Sequence, residues 1–485
     1  MSWVVFSLGA PLLAAGARLV WRRPLYALYA FLVGLAFHNA AFMGLWLAGA
    51  EGWQLTVLQA WKEILLGTAL LSVLAARRLP PRLVALDLAA LALALVAAVY
   101  LFLPADTTVE GRLYGLRSIV LPLAAYALGR CLVLGAREWR RVAAVGMGMA
   151  VAVAVVGLVE NYGLTIGDWR AWGAKGYYSE QLDFPAFHGP AGLPDNWALN
   201  LSDGVFRRLI STYLSPLGTA YMLAVALILA VVELPRVRGR ALLGLAAASL
   251  VVLAAFLLAF SRAAALALVG ALVVLALARR SLWPLAGAAA VLLASVATAA
   301  WFTSVAPETR FFPEDRAYQE RRAREEGPLP PGSPLETTSG FSDSSSREHL
   351  AELRRSFENF LDRPQGHGLG TSGQIAQRFG EGDFAAGESL YLTVAVETGA
   401  AGLLALLALA GAALLTLFRA ARRPAGSALG VAAGVLLAAQ AAVFAIGLQT
   451  EVWGIPWLVY VLWLLTGSVV TGSDRYDSGR HPGQL

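Results

Sequence analysis

Several arginine residues stand where polar segments of the sequence meet apolar ones. Arg207 and Arg208 open the motif Arg-Arg-Leu-Ile-Ser-Thr-Tyr-Leu-Ser-Pro, and Arg262 lies between two apolar stretches. A guanidinium group keeps its charge and forms bidentate hydrogen bonds with phosphate. If these residues converge, they form a cationic pocket that suits a lipid-linked diphosphate. The alternative is that each arginine contacts lipid headgroups separately. A long polar segment adds further candidates for the pocket: Arg347, Arg354 and Arg355.

Glu388 begins an apolar stretch directly after that polar segment. A carboxylate in this position is a candidate general base toward a hydroxyl nucleophile. Its favourable interaction with a helix N-terminus, up to about 1 kcal/mol, is an alternative reason for its presence.

Other ionisable groups fall inside apolar stretches, where charge is costly unless it faces a cavity or a partner. For Arg117, function and structure explain the charge equally well. Structural ion pairs, or side chains reaching the membrane surface, explain three others about as well as function does: Lys62, Glu63 and Asp87.

His367 stands in a glycine-rich motif with Gly366, Gly368 and Gly370. No predicted strand precedes the motif, so it indicates a tight turn or a backbone nest for an anion rather than a dinucleotide site. The five histidines are scattered and Cys131 is the single cysteine, so the sequence predicts no metal site, no cofactor and no disulfide.

The composition places these residues in a membrane protein. Hydrophobic residues make up 58% of the chain and charged residues 14%, which leaves too little polar surface for a water-soluble fold. About 20 apolar residues cross a bilayer. This length fits thirteen stretches, give or take one: 2–20, 26–48, 56–76, 84–103, 115–135, 141–160, 213–233, 241–260, 263–279, 281–303, 388–418, 427–447 and 452–472. We therefore expect an all-α polytopic membrane protein with about 12–13 transmembrane helices.

The connections between these stretches alternate in charge. Short arginine-rich connections, such as those at 22–23, 77–82 and 137–141, alternate with segments that are acidic or long. The positive-inside rule puts the arginine-rich set in the cytoplasm, the N-terminus outside and the C-terminus inside.

This orientation leaves two large loops on the outer face, 161–212 and 304–387. The second is expected to be partly helical, because apolar residues recur at helical spacing between Ser346 and Leu361. The first is rich in aromatic residues, which suits headgroup contact, sugar stacking or an interfacial belt. The predicted organisation is N-terminal helices over 1–160, the first loop, central helices over 213–303, the second loop, C-terminal helices over 388–472, and a cytoplasmic tail over 473–485.

The order of these motifs resembles the O-antigen ligase and O-antigen polymerase superfamily of the bacterial inner membrane. The resemblance is carried by Arg208 with Ser-Thr-Tyr-Leu-Ser-Pro, by Phe-Ser-Arg-Ala at 260–263, by Pro364 to Gly370, and by Glu-Ser-Leu-Tyr-Leu before Glu-Thr-Gly at 397–399. It covers roughly residues 200–420. It implies an inverting, metal-independent glycosyltransferase that takes a glycan from an undecaprenyl-diphosphate carrier at the periplasmic face.

The resemblance also implies roles for individual residues. Arginines at the positions of Arg208, Arg262 and Arg347 hold the diphosphate, and a residue at the mouth of the span after the loop deprotonates the acceptor. The family's usual histidine falls on Glu388, a departure that favours a polymerase over a lipopolysaccharide ligase. Further candidates for binding the diphosphate or glycan are Arg207, Arg354, Arg355, Arg117, His367 and Tyr391.

Three functions follow in order of preference. The first is polymerisation of surface-polysaccharide repeat units, and the second is transfer of a glycan to a lipid or protein acceptor. The third is a transporter or flippase, which would show paired repeats that this sequence lacks. The expected partners are the lipid-linked donor, a glycan or lipid acceptor and membrane lipids, with a chain-length regulator left open and no nucleic acid.

Overall fold

The computed structural model describes residues 2–80, 82–184, 187, 189–201, 204–312, 344–379, 389–424 and 427–477; at 200, 344–349, 377 and 477 it describes the backbone alone. The helices of these residues are α1 Ser2–Arg22, α2 Leu25–Leu47, α3 Gly52–Gln59, α4 Trp61–Ala75, α5 Ala85–Phe102, α6 Val109–Arg130, α7 Ala136–Gly163, α8 Ile166–Ala171, α9 Ala174–Gly176, α10 Pro216–Glu233, α11 Arg240–Leu258, α12 Arg262–Arg279, α13 Trp283–Val305, α14 Ser344–Asp362, α15 Gly373–Phe379, α16 Leu390–Ala421, α17 Ala428–Ile446 and α18 Pro456–Asp477.

The fold is a polytopic helical membrane protein, which confirms the predicted class. Among the described residues, eleven helices are long and apolar enough to cross a bilayer, and the pair α3 and α4, bent by 43°, makes a twelfth span if it is counted as one. Helix α6 is long enough to cross but too polar to be counted with them. The predicted stretch 115–135 falls on this helix, and its crossing of the bilayer stays a prediction.

The two ends of the bundle differ in character. One end, called here the loop end, carries the long segments that follow α7, α13 and α17. The other, called the arginine end, carries short connections rich in arginine. Polar caps start several helices at both ends: Thr108 accepts from the Gly111 amide at α6, and Ser215 and Ser427 cap α10 and α17 in the same way.

A small antiparallel sheet ties the two long segments together. Its strands are β1 Ala198–Leu201, β2 Gly204–Arg207 and β3 Glu308–Thr309, in the order β1-β2-β3. Val205 pairs with Thr309 and Phe206 with Glu308. This sheet is an addition to the expected all-helical architecture, and it anchors the chain immediately before the Arg-Arg-Leu-Ile motif.

The aromatic residues of the first long segment form a core of their own. Trp169, Tyr177, Tyr178 and Trp197 are buried, and their rings meet edge to face. The indole of Trp197 donates to the Leu214 carbonyl at 3.0 Å. These four side chains therefore hold the segment on the bundle and are not available to stack on sugars or lie among headgroups.

Candidate functional site

Arg208 is fixed at the tip of the hairpin formed by α11 and α12. Its Nε donates to the Ala259 carbonyl at 3.0 Å, its Nη2 to Phe260 at 3.1 Å, and its Nη1 to Asn196 at 3.1 Å. The last carbonyls of a helix have no partner within the helix. Arg208 satisfies those that follow α11, and this role explains why its guanidinium tolerates burial.

Arg262 is brought to the same tip. It is the first residue of α12 and is half-buried, and Phe260, whose carbonyl bonds to Arg208, lies two residues before it. Ser261 caps α12 by accepting from the Ala264 amide at 3.3 Å. An anion beside Arg262 would also face the positive end of the α12 dipole. Of the predicted arginines, these two are the ones that the described residues bring together.

Arg207, although adjacent to Arg208, lies in a different environment. Its Nη2 forms a buried ion pair with Glu160 near the end of α7, and its Nη1 donates to the Asn161 carbonyl at 3.3 Å. Glu160 also accepts from the Trp169 indole at 3.2 Å. The charge of Arg207 is thus neutralised inside the protein, which removes the reason for placing it in a diphosphate pocket.

Backbone hydrogen bonds join the glycine-rich motif to a break in α16. The amide of His367 donates to Val396 at 2.7 Å, that of Gly368 to the Glu397 carbonyl at 2.9 Å, and the Ala400 amide returns a bond to Pro364 at 2.9 Å. Gly399 interrupts the helix with φ +64° and ψ −165°. A Cβ on Gly399 would lie 2.5 Å from the Gln365 carbonyl carbon, so glycine is required there.

The predicted backbone nest is occupied by a carboxyl group of the chain itself. Glu397 is 2% exposed, and its Oε1 accepts from the Gly370 amide at 2.9 Å. The imidazole Nε2 of His367 lies 3.1 Å from the Asn359 carbonyl of α14. The motif is therefore a packing element that joins α14 to α16, with Glu397 as its internal ligand.

The start of α16 is docked on the end of α17. Ser389 donates through its hydroxyl to the Gly447 carbonyl at 3.1 Å, and the Leu390 amide donates to the same oxygen at 2.9 Å. The hydroxyl of Tyr391 donates to Phe444 at 3.0 Å, so this predicted substrate ligand makes a helix contact. Glu388 lies outside the described residues, one position before Ser389.

A polar chain of contacts runs from this junction toward Arg208. Thr450, just beyond Gly447, lies 3.2 Å from the Tyr221 hydroxyl of α10, and the Thr219 hydroxyl of the same helix donates at 2.7 Å to the carbonyl of Ile210, two residues after Arg208. The start of α16 and the arginine-bearing hairpin tip thus belong to one region of the loop end.

The remaining predicted arginines lie elsewhere. Arg117 in α6 forms an ion pair with Glu63 and sits 5.4 Å from the centre of the Tyr114 ring. Arg354 and Arg355 are exposed on α14, where Arg354 donates to Glu358 at 2.8 Å. Arg347 belongs to the same helix, and its side chain is outside the described part of the structure.

A cavity of about 180 Å³ opens beside Arg117, and it contains two residues that the sequence did not single out. Arg378 lies 5.4 Å from the Tyr114 ring centre and pairs with Asp183 at 3.3 Å. Glu451 accepts from the Gln374 amide at 3.3 Å, and burial raises the pKa of its carboxyl to about 7. Arg378 lies in the short helix α15 of the second long loop and Glu451 in the connection between α17 and α18, where a charge attracts no attention in a sequence.

A larger apolar cavity of about 870 Å³ lies between helices of the bundle. It reaches from Trp457 and Tyr213, whose rings stack at 4.9 Å near the loop end, to Arg140 and Arg236 at the arginine end. Most of its wall is made of alanine, valine and leucine side chains of α2, α7, α10, α17 and α18. Such a wall suits a hydrocarbon chain.

The described His, Cys, Asp and Glu residues include no group of three that could hold a metal ion. Independence from metal stays a prediction.

Fold and site together define a multi-pass membrane protein with a polar centre where its loop end meets the bundle. Residues 247–407 match the family model of O-antigen ligase, which confirms the predicted resemblance to the O-antigen ligase and polymerase superfamily. The match covers about a third of the chain, from α11 through the break in α16, and it includes Arg262 and the glycine-rich motif. The family supports a membrane glycosyltransferase acting on a lipid-linked glycan and a glycan acceptor. No curated protein matches the chain.

Proposed function

We propose that this protein is an inverting, metal-independent glycosyltransferase that polymerises repeat units carried on undecaprenyl diphosphate. The observation that carries the proposal is the placement of Arg208 and Arg262 at one hairpin tip, next to the start of α12. Two guanidinium groups and a helix N-terminus offer a diphosphate charge stabilisation without a bound ion. Arg208 is held rigidly by backbone carbonyls, so little reorganisation is needed when the leaving group develops charge.

The apolar cavity supports a lipid-linked donor. Tyr213, at the loop end of the cavity, follows Arg208 by five residues. One donor molecule can therefore place its diphosphate at the hairpin tip and its isoprenoid chain in the cavity. The depth of the cavity, which extends to Arg140 and Arg236, accommodates a long chain.

Glu388 is the proposed general base. The proposal is supported by its neighbour in the sequence, Ser389, whose hydroxyl donates to the Gly447 carbonyl at the end of α17. The carboxylate takes the proton from an acceptor hydroxyl while that oxygen attacks the anomeric carbon. The bond from carbon to the diphosphate oxygen breaks with its electron pair on the diphosphate, and a single displacement inverts the configuration.

The inner membrane, the periplasmic location of the loop end and the cytoplasmic location of the arginine end are part of the proposal. They rest on the alternation of charge and on the family. A ligase that transfers finished glycan to a lipid or protein acceptor is the alternative, and the presence of glutamate at position 388 favours the polymerase.

The test uses full-length protein in proteoliposomes with a purified lipid-linked repeat unit, with and without a separate lipid acceptor, and with chelator throughout. We expect Arg262→Ala and Glu388→Gln to abolish polymer and leave single-repeat donor. Arg238→Ala, an exposed arginine at the opposite end of α11, serves as the matched control and should retain polymer.

Normal polymer length in the Arg262 and Glu388 variants would overturn the site. Wild-type product that appears only with the separate acceptor, one glycan per lipid, would identify a ligase. Loss of all activity in chelator would overturn the metal-independent mechanism.

A further inference from the structure

A third cavity lies at the arginine end, away from the proposed transfer site. Its volume is about 650 Å³. Arginines from four separate parts of the chain line it: Arg22, Arg23, Arg78, Arg130 and Arg475. Nothing in the proposed reaction uses this cavity.

The arginines of this cavity divide into two kinds. Arg130 is buried and is held by Asp87 at 2.9 Å and by Asp474 at 3.1 Å, so it is part of the framework. Arg22 and Arg78 are exposed, and no carboxylate of the described residues lies within ion-pair distance of either.

Arg23 behaves like the second kind. It is exposed, and its Nη1 donates to the Tyr26 hydroxyl at 3.3 Å. Arg22, Arg23 and Arg78 therefore bring positive charge to the cavity, and no carboxylate of the described residues lies within ion-pair distance of them.

The rest of the wall is apolar. Leu25, Leu79, Leu132 and Val133 line the same cavity, and Leu79 is 64% exposed. A soluble anion would leave this surface in contact with water. An amphipathic anion would place its charge on the arginines and its apolar part on the leucines.

We propose that this cavity binds the headgroup of an anionic phospholipid with two phosphates, because its exposed arginines come from two connections, Arg22 and Arg23 from one and Arg78 from the other. Basic pockets between transmembrane helices are suited to such headgroups because guanidinium groups bind phosphate oxygens in a fork. The cavity joins the α1–α2 connection to the α4–α5 connection and to the end of α18, so a bound lipid would link the first helices to the last.

The arrangement is more specific than the general excess of arginine at this end. Arg137 and Arg141 at the start of α7 are also exposed and belong to an arginine-rich connection, yet they do not line this cavity. They provide a matched control with the same loss of charge at the same end.

The test measures thermal unfolding of the full-length protein, purified in detergent and depleted of lipid. Tetraoleoyl cardiolipin is compared with dioleoyl phosphatidylcholine and with inorganic pyrophosphate. We expect cardiolipin to raise the Tm of the wild type more than either of the others. Arg22→Gln with Arg78→Gln should lose most of this difference, and Arg137→Gln with Arg141→Gln should keep it.

Equal Tm values for wild type in cardiolipin and phosphatidylcholine would overturn the proposal. Equal losses in the two double variants would do so as well, since the effect would then be general charge. A shift of the same size with pyrophosphate would replace the lipid with a soluble anion. Should the double variant fail to fold, Arg78→Gln alone is expected to lose about half of the cardiolipin effect, and an unchanged effect would contradict the site.

Discussion

Arginine residues lie at both ends of the bundle, and each end has buried arginines that are bonded to the chain and others that are more exposed. At the loop end, Arg207 and Arg208 are buried and bonded to the chain, whereas Arg262 is half-buried at a helix start. At the arginine end, Arg130 is locked between two aspartates, whereas Arg22 is exposed. The comparison teaches that an arginine next to an apolar stretch is first of all a structural choice, because the buried ones at both ends are bonded to the chain itself.

The largest effect is expected at the buried arginine of the arginine end. Arg130→Met would leave Asp87 and Asp474 without their buried partner, and we expect it to lower the free energy of unfolding by at least about 5 kcal/mol. Arg82→Gln is the matched control, because Arg82 pairs with the same Asp474 at 3.1 Å but is 62% exposed on its side chain. Thermal unfolding in detergent measures both variants. Similar losses of stability in the two variants would contradict the distinction between buried and exposed arginines.

At the loop end the corresponding test is Glu160→Leu. It leaves the Arg207 guanidinium buried without its ion-pair partner, which is expected to cost about 3–5 kcal/mol. Adding Arg207→Met should restore most of the stability, because two apolar side chains of similar volume can replace a buried pair. We expect transfer activity to fall in Glu160→Leu and to return in the double variant, as stability does. A double variant that is stable but inactive would instead indicate that Arg207 takes part in the transfer reaction.

A smaller loss is expected at the break in α16, which tests whether the loop end depends on backbone fit as well as charge. Gly399→Ala would put a Cβ 2.5 Å from the Gln365 carbonyl carbon at a φ of +64°, and we expect a cost of about 2–4 kcal/mol. Gly411→Ala in the same helix meets nothing within 4 Å and serves as the control. A destabilisation of equal size in both would show that the contact with Gln365 is not the cause.

The smallest effect concerns Glu451 and pH. Burial raises the pKa of this carboxyl from 4.5 to about 7, so the folded state favours the protonated form. The resulting stabilisation is complete below pH 4.5 and is lost as the pH rises through 7. Between these values the Tm of the wild type should fall relative to that of Glu451→Gln. Parallel Tm curves for the two proteins would contradict the raised pKa.

The membrane class was accessible from the sequence because a bilayer imposes one length and one polarity on every span. Hydropathy therefore found α1 and α10 as readily as α17. Helix α14, over Ser344–Asp362, was accessible as well, since Leu353 and Phe360 recur at helical spacing. The short strands could not be predicted, because a strand such as Ala198–Leu201 is too short to show an alternation of apolar and polar residues.

The partners of individual charges could not be predicted. Glu160 and Arg207 are 47 positions apart, and nothing in either segment specifies the other. The same holds for the glycine-rich motif: a Cβ on Gly366 would lie 2.6 Å from the Gly399 amide nitrogen, whereas Gly368 and Gly370 pack against Ala105 and Gly111. The sequence showed which residues were unusual, and their contacts in the folded protein show which of them are structural.

The break at Gly399 has a mechanical consequence. The Ala400 amide bonds to the Pro364 carbonyl, and the amides of His367 and Gly368 bond to the turn of α16 before the break. These bonds couple the loop segment to the first turns of α16. We expect a displacement of the loop segment to pass through these bonds to the first turns of α16, so that the two move together while the part of α16 beyond Gly399 stays in the bundle.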